Sequence, residues 1–93
     1  MLDFSKYTQD PDEIQFLQDI YEDSTNSNVL VELYTSKDDY IIINPTNEGK
    51  IHVFINEDDE YIYNSVDELF LNFKLYGKPF IESAGEFLVE VEE

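Results

Sequence analysis

YIIINPTNEGKIHVFINEDDEYIY, residues 40–63, decides the fold. Two kinds of segment alternate along it. Residues 40–44 and 50–56 are apolar and rich in β-branched and aromatic side chains, as is the shorter run 60–64. Between them stand Pro45-Thr46-Asn47-Glu48-Gly49 and Glu57-Asp58-Asp59, which are turn chemistry throughout. Connections this short join antiparallel strands, because a parallel pair needs a crossover of a dozen residues or more. The stretch therefore predicts three strands of a meander.

Working outward toward the N-terminus, residues 29–35 alternate in the same way and read as a further strand, with Ser36-Lys37-Asp38-Asp39 as a tight turn. A polar loop over residues 23–28 precedes that strand. Before the loop, Ile14, Leu17, Ile20 and Tyr21 recur at helical spacing, with Phe16 on the flank, and predict a helix running to about Glu22. Asp10 is its cap, Pro11 suits the first helical position, and Glu13 sits where a capping box wants it. The leading residues 1–7 offer Phe4 and Tyr7 as anchors. On the C-terminal side, Ser65 and Glu68 form a second capping box, and Val66, Leu69, Phe70 and Phe73 make an apolar stripe. The spacing predicts a helix over residues 66–75, with Gly77 as its C-terminal cap and Pro79 preventing continuation. Phe87, Val89 and Val91 alternate with Leu88, Glu90 and Glu92, which predicts a last strand. The whole is a single α+β domain over residues 1–93: an antiparallel four- to five-stranded meander sheet with one N-terminal helix and one helix after the fourth strand.

Alternation also sorts the strand residues by face. Val29, Val31, Leu33, Ile41, Ile43, Ile51, Val53, Ile55 and Ile62 are all aliphatic and are assigned to the core face, under the second helix. Leu30, Glu32, Tyr34, Tyr40, Ile42, His52, Phe54, Tyr61 and Tyr63 are assigned to the other face. That face is either covered by the first helix or is an interface, since aromatic side chains with polar tips are enriched in contact surfaces.

Charge bounds the function. The chain carries 22 Asp and Glu against five Lys and no Arg, a net charge of −17. Such a surface repels nucleic acid and anionic lipid by the electrostatics that draw basic proteins to them. Without Arg the bidentate phosphate ligand is missing as well. The expected partner is a basic protein, with neither nucleic acid nor membrane involved. With 42 % of residues apolar the chain has material for a core, and self-repulsion at this charge is tolerated for a reason or serves solubility. No apolar run approaches the roughly 20 residues of a membrane span, and the N-terminus lacks a signal-peptide pattern, so a cytoplasmic location is expected. No cysteine is present, which excludes disulfides and thiolate metal sites.

The residues give catalysis little to work with. His52 is the one histidine and lies mid-strand, and no serine is flanked by the glycines of a nucleophile elbow. No enzyme activity and no cofactor are expected. Residues 56–60 and 44–49 are the two places where hard oxygen ligands gather, but neither has the glycine and closing glutamate of a calcium loop, so no dedicated metal site is predicted. The acidic turns are better contact sites. Asp38 and Asp39 are followed by Tyr40, and Glu57, Asp58, Asp59 and Glu60 by Tyr61 and Tyr63. An anionic tip beside an aromatic edge pairs with Arg or Lys through charge-assisted hydrogen bonds and cation–π contact together. With Tyr34, these residues are the predicted partner-binding set.

Residues 40–73 also resemble the C-terminal half of the SUKH superfamily, which supplies many bacterial toxin-immunity proteins. The similarity rests on the strand DDYIIIN, the turn at Gly49, the run GKIHVFINEDDEYIY ending near acids, and the Ser-capped NSVDELFLNF, where Ser65, Glu68, Leu69 and Phe73 hold the helix positions. The resemblance implies an immunity protein that binds and blocks a cognate toxin, commonly a nuclease. A nuclease is basic where it holds phosphate, so an acidic inhibitor fits that surface, and long-range attraction speeds their encounter. Two other readings are open: a phage-type decoy that mimics nucleic acid and blocks a host defence nuclease, and a homo-oligomeric module pairing through its tyrosine face. A monomer or weak homodimer is expected.

Overall fold

The computed structural model describes residues 2–26 and 29–87, and among them the fold is α+β. Helix α1 (Pro11–Ser24) leads into strands β1 (Val31–Tyr34), β2 (Tyr40–Pro45), β3 (Ile51–Ile55) and β4 (Asp59–Tyr63), then helix α2 (Val66–Asn72). The four strands form one antiparallel sheet in the order β1-β2-β3-β4. Two further strands, β5 (Lys74–Leu75) and β6 (Lys78–Pro79), make a small hairpin, and 3₁₀ turns occupy Phe4–Lys6, Phe80–Glu82 and Ala84–Glu86. None of the described helices is long and apolar enough to cross a membrane.

Both predicted caps form, each with a local variation. Asp10 accepts from the Asp12 N–H at the start of α1. Glu13 does not reach back to the Asp10 amide itself. The Thr8 hydroxyl does so instead, accepting from the Asp10 N–H and donating to Glu13 at 2.6 Å. At α2, Ser65 Oγ accepts from the Glu68 N–H, while Glu68 accepts from Asn64 rather than from Ser65. In both cases the orphan donors of a first turn find partners, which is what a capping box achieves.

Helix α2 ends at Asn72, three residues short of the predicted end. Phe73 takes an extended backbone (φ −71°, ψ 120°) that places its ring in the core beside Tyr61, Tyr63 and Phe80. Gly77 is consequently no helix cap. Tyr76 (φ 56°) and Gly77 (φ 83°) are the two left-handed residues joining β5 to β6, the geometry of a type I′ hairpin turn. A left-handed glycine serves a helix end and a hairpin equally well, which is why the sequence signal was ambiguous. Phe87 forms one antiparallel bridge with Thr35, beside β1, and the remainder of the predicted last strand lies outside the described residues.

The core lies between the sheet and the helices. Leu17 and Ile20 of α1, and Leu69 and Phe70 of α2, pack with Ile41, Ile43, Ile51 and Val53 on the same side of the sheet, closed by Phe80, Ile81 and Phe87. Helix α1 therefore belongs to the aliphatic face, which settles the alternative left open by the sequence. All three connections between the four strands keep odd residues opposite odd residues: Val31 pairs with Ile43, Ile41 with Ile55, and Ile51 with Tyr63. The core face is the odd-numbered face throughout. This corrects the assignment of the fourth strand. Tyr61 and Tyr63 point to the core side and meet Phe73, whereas Ile62 lies on the other face, 52 % exposed. Aliphatic character suggested the reverse, but period two and a connection with an odd number of residues leave no choice of face.

Candidate docking surface

The even-numbered face carries Glu32, Tyr34, Tyr40, Ile42, Asn44, His52, Phe54, Glu60 and Ile62, and none of its apolar members joins the core cluster. No described element lies over it. Leu30, just before β1, and Tyr34 at its end are about as exposed as Ile62. Two pairs of polar groups on this face are hydrogen-bonded to each other, Tyr40 with Glu32 and His52 with Glu60. The Tyr34 and Tyr40 rings stack across β1 and β2 with centroids 4.8 Å apart. Tyr40 donates its hydroxyl to Glu32, and because that bond is lost on ionisation its pKa is pushed up to about 12. His52 Nδ1 lies 2.8 Å from Glu60 Oε2, and its ring stacks on Phe54.

Two of the three connections within the sheet lie at one end of it, and these are the acidic ones. Residues 35–39 join β1 to β2, and residues 56–58 join β3 to β4. The Asn56 side chain stitches them together, accepting from the Tyr40 N–H and donating to Asp39 Oδ1, both at 2.8 Å. Tyr76, from the β5–β6 hairpin, donates its hydroxyl to the other oxygen of Asp39. Its single proton being so used, Tyr76 accepts from the Thr35 hydroxyl at 2.8 Å. Thr35 is fully buried and also accepts from the Lys37 and Asp39 amides. These donors, Tyr76 before Asn56, hold the Asp39 carboxyl below its usual range. Lys37 sits over the Tyr76 ring, 4.2 Å from its centroid, as the one cation of the cluster.

Backbone strain collects at the same end. Asp38 (φ 69°), Asn56 (φ 53°), Glu57 (φ 65°) and Tyr76 are the left-handed residues other than glycine among those described. The opposite end shows the unstrained solution. There the β2–β3 connection closes with Thr46 and Lys50 paired and Gly49 at the left-handed position (φ 85°), where the β1–β2 connection, closed by Thr35 and Asp39, has Asp38. An aspartate tolerates this conformation better than most residues but less well than glycine.

Of the predicted contact residues, Asp38, Asp39, Glu57, Asp58 and Asp59 thus share one end of the sheet, with Tyr34 and Tyr40 opening the uncovered face beside them. Glu60 lies on that face, one residue further along β4. Tyr61 and Tyr63 are not with them, since they face the core side. Asn56 and Tyr76, which organise the cluster, were missed by sequence reasoning. An Asn leading into three acids is a turn signal, but nothing local shows that its amide spans to another turn. Among the described residues no group of three or more His, Asp or Glu is placed to hold a metal ion. No protein-family model, curated protein or solved structure matches this chain.

Proposed function

We propose that this protein is an acidic inhibitor that binds a basic protein, acting as an immunity protein against a cognate toxin nuclease in the cytoplasm. One observation carries the reading: two acidic turns, 18 residues apart between Asp39 and Glu57, are tied into one anionic end that borders an uncovered aromatic face. The Asp39 carboxylate, held by hydrogen bonds from Tyr76 and Asn56, needs little reordering on binding, so less of its interaction energy is lost to entropy. Their field and the net charge of −17 would steer a basic partner toward this end. A local cluster supports an inhibitor fitted to one protein more than a nucleic-acid mimic. Mimicry of a duplex calls for charge repeated along a line, roughly one per 1.7 Å, while the centre of the uncovered face is apolar.

The test has two stages. Affinity capture at low salt followed by a salt gradient identifies basic proteins that bind. The purified candidate is then assayed for inhibition and for its association rate. The expected result is inhibition of a nuclease, with an on-rate that falls at least about tenfold when Asp38, Asp39, Glu57, Asp58 and Asp59 are neutralised to Asn or Gln. A captured set of unrelated basic proteins, none of them inhibited, would refute the reading.

A further inference from the structure

We propose that the even-numbered face of the sheet receives a basic amphipathic α-helix of the partner, lying along β2 and β3. This rests on the reading above that the partner is a basic protein, and it specifies the element that docks and the surface that takes it.

The register supplies the argument. Glu32, Ile42, Phe54 and Glu60 stand in one row across the four strands, each paired with the next. The two central positions are apolar, and each edge strand ends the row with a carboxylate. Three interstrand spacings set the carboxylate-bearing positions about 14 Å apart, and an α-helix with its side chains is about 10–12 Å wide. A helix seated on Ile42 and Phe54 therefore has a carboxylate along each flank. Lys and Arg on both sides of its apolar stripe reach those acids while their methylene stems cover the Tyr40 and Ile62 side chains. Each carboxylate is already aimed, Glu32 by the Tyr40 hydroxyl and Glu60 by His52, and each keeps lone pairs free for a further donor.

The apolar stretch is also the kind of sheet face that helices cover. The opposite face of this sheet is closed by α1 and α2, so layering on this side is incomplete. Charge decides the occupant. A second copy of this chain brings another −17 and sets carboxylates against carboxylates, whereas a basic helix neutralises both edges of the row.

The experiment uses the whole chain, isotope-labelled, and two synthetic peptides of the same Leu and Lys composition. One has its leucines at helical spacing and the other is scrambled. The expected result is that the helical peptide shifts the amide resonances of Ile42, Phe54 and their neighbours on β2 and β3. It should bind at least about tenfold more tightly than the scrambled one, and Phe54→Ser should remove that advantage while the melting transition stays close to the parent's. Shifts confined to residues 36–39 and 56–58, equal for both peptides, would overturn the helix on the sheet and leave the basic-partner reading standing. Absence of binding by either peptide would overturn both. Concentration-dependent shifts of the same face without peptide would mean that a second copy occupies it, and would overturn the proposal.

Discussion

The two faces of this sheet share isoleucine but differ in what covers them. On the odd-numbered face Ile41, Ile43 and Val53 are fully buried under two helices, whereas on the even-numbered face Ile42 is half-buried and Ile62 is exposed. Three consecutive isoleucines, Ile41 to Ile43, thus divide between core and surface. What separates them is parity rather than hydrophobicity. Each connection within the sheet keeps odd residues paired with odd, so one face collects the helices and no described element covers the other.

The largest expected effect is a direct contrast between faces. Phe70→Ala empties a fully buried position and should cost about 3–5 kcal/mol in chemical denaturation. Phe54→Ala, at the centre of the open face, should cost less than about 1 kcal/mol. Equal costs would mean that the open face is covered in the isolated protein. Next in size is the inverted strand. Tyr63→Lys should destabilise by roughly 1–3 kcal/mol and Ile62→Lys by no more than about 0.5. The reverse order would restore the aliphatic assignment of β4.

A smaller effect tests the turns that enforce parity. Asp38→Gly relieves a left-handed aspartate and should stabilise by about 0.5–1 kcal/mol. Gly49→Asp at the matching position of the opposite end should destabilise by about 1 kcal/mol. An added Cβ there meets nothing within 4 Å, so the cost is conformational alone. Equal and negligible changes would show that the two turns do not share a geometry.

The smallest effect separates the faces by titration. Tyr40 and Tyr63 are both raised above the ordinary tyrosine value of 10.0, but for different reasons. Tyr40 is raised mainly by donation to Glu32, and Tyr63 mainly by burial. Glu32→Gln should therefore bring Tyr40 down toward 10.0 and leave Tyr63 where it is, as read from tyrosinate absorbance with Tyr40→Phe assigning the step. The linked stability has a definite sign. A group raised in the folded state contributes fully below its unfolded pKa, so the Tyr40 contribution is present up to pH 10.0 and is lost as pH rises through about 12. Asp39 is lowered, so its contribution is present above 3.8 and is lost as pH falls through its folded value.

Much of this was legible one residue at a time. Asp10 and Ser65 announced their helices, the run Pro45 to Gly49 announced a turn, and the spacing of Leu17, Leu69 and Phe70 announced core positions. Each of these signals is local: a cap bonds within its own first turn, and alternation follows from the pleat. Gly77 suggests a helix cap but closes a hairpin, because a left-handed glycine serves both. At Tyr61, Ile62 and Tyr63 side-chain character and parity point to opposite faces, and the register follows parity.

The sequence by itself determined the order of the two helices and four main strands, the helix N-caps, the antiparallel meander and the anionic surface, because these depend on chemistry within a few residues and on total charge. Only the tertiary structure decided that α1 shares the aliphatic face with α2, that Phe73 leaves the helix and packs beside Tyr61 and Tyr63, and that Asn56 joins two distant acidic turns. Those outcomes depend on which distant side chains meet once the core has closed. The chain records each contributor to such a meeting but not the encounter itself.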